Sequence, residues 1–514
     1  MEKVLLSITL LTCTACLTIV ETSELTDCLV ELGVDVDSNL IERNVASNSV
    51  YADINFQWQE RGAYRHPKAY LLIHSATDVQ AAVKCGRRLG LEIVARNGGH
   101  GYIKSAYGHS NDDNTLILDL KAFKSIVVDE QARTATVDPG ALLGHVAYEL
   151  WENGNFIFPY GICGSVGISG FALGGGHTIL AYKLGMAIDN IIELEMVNAN
   201  AELLTINNET NTNLFWALRG AGATGSFGIV TKLVLQLHPA PHQIINIDLE
   251  YNFEQFHDVY SAYQASVNES FNYRFTLNKG VIKATISDMQ NVTEAETIGA
   301  QRIQQAIELL PAPISPPKQT LLTFTDFLTK YMYVTRGFSY IRPSLNISEP
   351  KDLLNIASYG TGSEWFKAKS LFVNKLLSQS EIMELEQLLG TISLPDLYIS
   401  LETFSGKVND FHPQIHSSFI HRDAYFDLFV YMVREKSDDP DVSAKLNEFF
   451  DKSKRILNHT ASYQNYADDE MSDALERYYG ANLPRLIDIK TEVDPDNFFN
   501  SNPQSIPIKS SSGH

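Results

Sequence analysis

Gly161-Ile-Cys-Gly-Ser-Val-Gly-Ile-Ser-Gly-Phe-Ala-Leu-Gly-Gly-Gly-His177 sets seven glycines within seventeen residues. Glycine loses more backbone entropy on ordering than any other residue, so a run this dense is not there to build a core. It predicts a loop that something approaches closely, with the Cys163 thiol against it. A packed glycine-rich corner is the plainer reading. Upstream stands Arg96-Asn-Gly-Gly-His-Gly-Tyr102, directly after the strand-like Glu92-Ile-Val-Ala95. Paired glycines let a backbone turn sharply and aim N–H groups at an anion, so this loop can cradle a phosphate with His100 beside it. Taken alone, Gly-Gly-His is more often a tight turn with an incidental histidine.

Outward from these loops, residues 64 to 237 alternate short aliphatic runs with amphipathic segments. Residues 69–74, 92–95 and 115–119 read as strands and residues 76–89 as a helix. The sequence His238-Pro-Ala-Pro241 reads as a linker. Beyond it, residues 244–249, 273–277 and 397–401 alternate apolar and polar, as an antiparallel sheet buried on one face requires. Helical stretches at 294–310 and 378–389 lie between them, so a second domain of one sheet backed by helices is expected. The fold class is therefore α+β, and residues 509–514 read as a loose end.

A chain of 514 residues has room for two or three units at about 150 residues per domain. Its 40 basic and 61 acidic residues leave a net charge of −21, and a field of that sign repels nucleic acid and anionic membrane. Residues 1–20, a charged start followed by an apolar run, read as a secretory signal peptide rather than a membrane anchor. Its cleavage removes Cys13 and Cys16 and leaves Cys28, Cys85 and Cys163, an odd number in an oxidising compartment. Cys28 with Cys85 could close one disulfide, leaving Cys163 for other chemistry, or Cys163 is a buried thiol. Acceptor sequons begin at Asn208, Asn268, Asn291, Asn346 and Asn458, which favours a glycosylated secreted protein.

Gly220-Ala-Gly-Ala-Thr-Gly225 fits a dinucleotide fingerprint, but a helix-like segment precedes it and a strand-like one follows, the reverse of the order required. No serine elbow, HExxH, Walker loop or paired CxxC occurs, and no metal site is expected.

The ordered stretches YRxPxA (64–69), DVQAAVKC (78–85), GGHGY (98–102), GxCxxVG (161–167), GGG (174–176), DN (189–190), LFWALRG (214–220), GSFGIVT (225–231), YxNY (463–466) and DPDNFF (494–499) closely resemble the berberine bridge enzyme-like oxidases. These are FAD proteins of the vanillyl-alcohol-oxidase type. The resemblance covers residues 50 to 508 and is weakest between 240 and 395. It implies a two-part, PCMH-type FAD-binding domain over 64–238, a substrate domain over 242–462, and a segment over 463–508 returning to the FAD domain.

By position, the resemblance implies that His100 is joined to the flavin 8α carbon and Cys163 to carbon 6, with Cys28 and Cys85 as a disulfide. It lays the pyrophosphate over Asn97, Gly98, Gly99, Gly101, Ser165, Val166, Gly167 and Gly170, and puts Ile229 against the cofactor. A small aliphatic residue at Val166 goes with reaction with O2. Tyr466 matches the base, Glu402 a carboxylate able to take its proton, and Tyr102 a residue lining the substrate cleft. Without the resemblance, Glu402 would read as an exposed strand residue and Tyr466 as a packed aromatic. Ser169 and Phe171 stand where the family more often has glycine and histidine. The implied activity is oxidation of a small-molecule alcohol by a secreted monomer. An oligosaccharide oxidised at its anomeric carbon is favoured over an aromatic or alkaloid substrate. A silent flavin carrier is disfavoured, since such a protein loses its base before its binding loops.

Overall fold

Ser75 and Asp78 exchange side-chain and backbone hydrogen bonds in a capping box that starts the helix Ala76–Leu89, and Gly90, at φ 66°, ends it. The buried face of this helix, including Val79, Ala82 and Val83, shares a core with Ile93, Leu116 and Leu118. Those residues belong to a four-stranded sheet in the order Leu40–Glu42, Ala69–Leu72, Thr115–Asp119, Glu92–Arg96. Ala69–Leu72 and Glu92–Arg96 both run parallel to Thr115–Asp119. The strand expected over 69–74 stops at Leu72 because Asp78 takes the amides of His74 and Ser75, each at 2.9 Å. The computed structural model describes residues 23–44, 48–108, 112–266, 271–278, 280–290, 296–334, 348–356, 365–392, 397–434 and 440–510. The expected leader, the sequons at Asn268, Asn291 and Asn346, and residues 511–514 lie outside the described residues, whereas Asn208 and Asn458 are exposed.

Cys28, on the helix Glu24–Glu31, is joined to Cys85 across 57 residues of sequence. Closing a loop of this size removes about 4 kcal/mol of chain entropy from the unfolded state. The Cys28→Ala/Cys85→Ala variant is therefore expected to show a lower thermal midpoint and faster amide exchange over Glu24–Glu31. An unchanged midpoint would count against this assignment.

A second sheet, antiparallel, runs Ile126–Asp129, Thr134–Val137, Ile229–Gln236, Ile191–Val197, Leu203–Asn207. The stretch expected as a linker is not slack. His238–Pro239 pairs with Phe156–Ile157, and the Ala240 amide bonds to Asn155 at 2.8 Å. Proline is compatible with so short an edge pairing because one side needs no donor.

Beyond this junction a seven-stranded antiparallel sheet runs Lys318–Thr323, Gln243–Asn252, Val281–Gln290, Asn272–Asn278, Leu397–Thr403, Phe426–Arg434, Trp365–Val373. Alternation assigns its two faces. Tyr260 and Tyr263 of the helix Phe256–Ser266 pack on Phe275 and Phe426. The alternate residues Arg274, Glu402, Phe429 and Tyr431 line a cavity. The last helix, Leu483–Val493, is fastened by the buried Lys490–Asp494 pair. Lys490 also donates to the Ser226 and Phe499 carbonyls at 2.7 and 2.9 Å, and Asp494 accepts the Phe498 and Phe499 amides. The tail is held as far as Lys509, whose amide donates to Thr491 Oγ1 at 2.9 Å.

Candidate active site

Arg96 ends its strand fully buried, donating to Asp119 at 2.7 Å and to the Ile54 carbonyl at 2.8 Å. From this anchor the first glycine loop runs directly onto the second. A Cβ on Gly98 would lie 2.5 Å from the Gly167 nitrogen, and one on Gly167 would lie 2.3 Å from Asn97 Cγ. These two glycines are therefore demanded by loop against loop, a use the sequence does not separate from ligand approach. Gly170 and Gly225 differ, since no atom lies within 4 Å of a Cβ built on either and both open on the cavity. Asn97 Nδ2 donates to the Ala141 carbonyl and to Ser169 Oγ, both at 3.2 Å, so the unusual Ser169 belongs to a buried network. Phe171, the other departure, has its ring 3.0 Å from a Cβ built on Gly161.

The cavity encloses about 830 Å³, and its walls include His100, Cys163, Asn97, Gly98, Gly99, Gly101, Ser165, Val166, Gly167, Gly170, Ile229, Tyr102, Glu402 and Tyr466. All the residues expected at the cofactor and substrate thus meet in one space. Ser165 Oγ lies 3.1 Å from His100 Nε2, and the Trp58 ring sits 4.6 Å from the imidazole. Cys163, outside the disulfide, is partly exposed. The volume, the open glycines and a thiol and imidazole on shared walls fit a dinucleotide cofactor such as FAD.

The triple glycine serves the far end of the chain. A Cβ on Gly174 would lie 1.9 Å from Asn465 Oδ1, and one on Gly175 would lie 3.0 Å from the Tyr463 hydroxyl. That hydroxyl accepts the amides of Gly176 and His177 at 2.9 and 3.1 Å, and Asn465 Nδ2 donates to the Phe171 carbonyl at 3.0 Å. The 3-10 turn Gln464–Tyr466 is clasped there and turns Tyr466 into the cavity.

Tyr466 Oη donates to Glu402 Oε2 at 3.3 Å. The other carboxylate oxygen, Oε1, lies 3.5 Å from Arg274 Nη2 and accepts Ser400 Oγ at 3.5 Å. Arg274 and Asp427 flank Glu402 in register on the neighbouring strands. Burial first, and then the Glu402 charge, hold the Asp427 carboxyl well above the usual carboxylate range. Tyr466 is partly open to the cavity but deep in the protein. Burial first, and then the Glu402 charge, push its phenol well above its ordinary value. The Glu402 carboxylate is the acceptor that the Tyr466 hydroxyl meets in the cavity. Tyr102 stacks on the Tyr466 ring at 5.7 Å, Trp58 extends the aromatic wall, and the buried Phe366 packs behind both.

Sequence reasoning missed Arg274, His177 and Trp58. Alternation placed position 274 on a polar face but cannot tell a cavity from water, His177 follows the triple glycine without further signal, and Trp58 has none. The Gly220–Gly225 stretch does begin in the distorted end of the helix Thr212–Ala221 and precede the strand Ile229–Gln236, yet Gly222 to Gly225 form part of the cavity wall.

Residues 67–207 match the family described as "FAD binding domain" and residues 462–507 the family described as "Berberine and berberine like". The first span contains His100 and Cys163 and the second Tyr463 and Tyr466. The chain is similar to the chitooligosaccharide oxidase of Gibberella zeae, with 28% identity over 88% of this chain and 91% of that protein. It is also similar to the xylooligosaccharide oxidase of Thermothelomyces thermophilus, with 28% identity over 82% of this chain and 83% of that one. Among solved structures, BBE-like 1 of Physcomitrella patens superposes with a TM-score of 0.81 at 27% identity, over 95% of this chain and 99% of that one.

Proposed function

Since this chain carries the FAD-binding and berberine-like domains of the berberine bridge enzyme-like oxidoreductases and is an FAD-dependent enzyme, we propose that it is a secreted oxidase of oligosaccharides. It takes hydride from the anomeric carbon to leave a lactone and passes the electrons to O2, forming hydrogen peroxide. His100 and Cys163 would each hold the FAD covalently, and the backbone of Gly98 to Gly101 and Ser165 to Gly170 would hold its pyrophosphate. The observation that carries this reading is the convergence of His100, Cys163, Glu402 and Tyr466, from four separate stretches, on one cavity.

When bound, FAD supplies the hydride acceptor. Everything else falls to the side chains. The Tyr466 oxygen takes the proton of the reacting hydroxyl as its own proton passes to Glu402, so no second negative charge builds up in the cavity. Arg274 holds the carboxylate within reach of Tyr466. Tyr102 and Trp58 offer ring faces to the C–H faces of a sugar.

Secretion is supported by the Cys28–Cys85 disulfide. Among the described residues no helix is long and apolar enough to cross a membrane. The aromatic wall of Trp58, Tyr102, Phe429 and Tyr431 favours a second reading, an aromatic alcohol or alkaloid as substrate. Peroxide release decides between them. Production with chito-, xylo- or gluco-oligosaccharides is expected, production only with aromatic alcohols or amines selects the second reading, and none with either contradicts both.

A further inference from the structure

We infer that His177 is the proton store of this site, receiving through Glu402 the proton that Tyr466 releases during substrate oxidation. The inference rests on the function proposed above. Its geometry begins at Thr403, whose carbonyl lies 3.1 Å from His177 Nε2. A carbonyl only accepts, so Nε2 carries the hydrogen and Nδ1 presents a lone pair. That lone pair faces Glu402 Oε2 at 3.9 Å, the same oxygen that accepts the Tyr466 hydroxyl at 3.3 Å. A lone pair set against a carboxylate is repulsive, and a proton between them makes the contact attractive. The arrangement therefore suits the state reached after Tyr466 has given up its proton.

The ring has little freedom to turn away. It stacks on Phe404 at 4.0 Å and 11°, and the His177 amide is tied to Tyr463 Oη. Glu402 and Arg274 are the charged groups that act on it from the sheet, while Tyr463 touches its backbone, and Tyr466 and Asp427 act on Glu402. Burial lowers the imidazole pKa most, the Glu402 charge and the Thr403 carbonyl offset part of this, Arg274 adds to the lowering, and the net direction is down. At rest the ring is neutral.

In balance, the substrate O–H bond breaks and a Tyr466 O–H bond forms. The original phenol proton bonds to Glu402, and a turn of the carboxyl delivers it to His177 Nδ1. The hydride leaves separately for the bound FAD. His177 is thus a positioning residue for the proton and acts only through Glu402.

The test uses His177→Gln, which can still donate to Thr403 but cannot titrate. Flavin reduction by substrate is expected to slow about tenfold or more, with KM little changed and the acidic limb of the kcat/KM profile displaced. An unchanged rate and profile, or a KM rise alone, overturns the proposal. A second readout needs no turnover. In flavin-loaded protein carrying isotope-labelled histidine, the NMR titration midpoint of His177 is expected to fall on Glu402→Gln. An identical midpoint in both proteins overturns the proposal even if the substrate assignment holds. A fallen midpoint in a protein that releases no peroxide places the failure in the function proposed above.

Discussion

Replacing Tyr466 by phenylalanine is expected to cut flavin reduction by substrate about 10²- to 10⁴-fold, the usual worth of a positioned acid–base group, while leaving a folded yellow protein. The ring itself should stay in place. It packs on Tyr102 at 5.7 Å and Phe429 at 4.3 Å, and its segment is clasped through Tyr463 and Asn465 rather than through the lost hydroxyl. What disappears is the one oxygen on that ring able to take the hydroxyl proton and pass another to Glu402. Rapid-mixing measurement of flavin bleaching under anaerobic conditions isolates this step from reoxidation. A variant within about threefold of the natural protein, far below the usual worth of such a group, would show that another group is the base.

The second large effect concerns the tethers. In the His100→Ala/Cys163→Ala double variant, acid precipitation is expected to release all of the yellow colour into the supernatant. Each single variant should keep its colour in the pellet, because in the proposed arrangement the imidazole and the thiol would make independent bonds. Both side chains open on the shared cavity, and Ser165 engages His100 Nε2 at 3.1 Å, which orients the ring. The singles are also expected to be reduced more slowly by the same substrate, since each lost bond makes the ring harder to reduce. Complete release from either single variant would mean that only one bond forms.

Local signals account for most of what the sequence revealed. The helix Ala76–Leu89 was legible to its ends because Ser75, Asp78 and Gly90 mark it chemically. The preceding strand was overestimated because the same Asp78 claims the amides of His74 and Ser75, a contact that apolar periodicity does not register. The glycine loops announced a site, but only the folded chain shows that Gly98 and Gly167 serve each other and Gly174 serves Asn465. Those uses join positions far apart in sequence. Tyr466 and Glu402 were singled out through the resemblance alone, since nothing local distinguishes a phenol on a cavity wall from a packed one. Arg274 and His177 escaped because their meaning lies in Glu402, which each meets only in the folded chain.

The most direct measurement is a peptide map of the purified protein. After proteolysis, a single flavin-bearing species is expected whose mass equals FAD plus two peptides, one containing His100 and the other Cys163, less the two hydrogens lost in forming each bond. Recovery of both peptides unmodified, with FAD free in solution, would contradict the account.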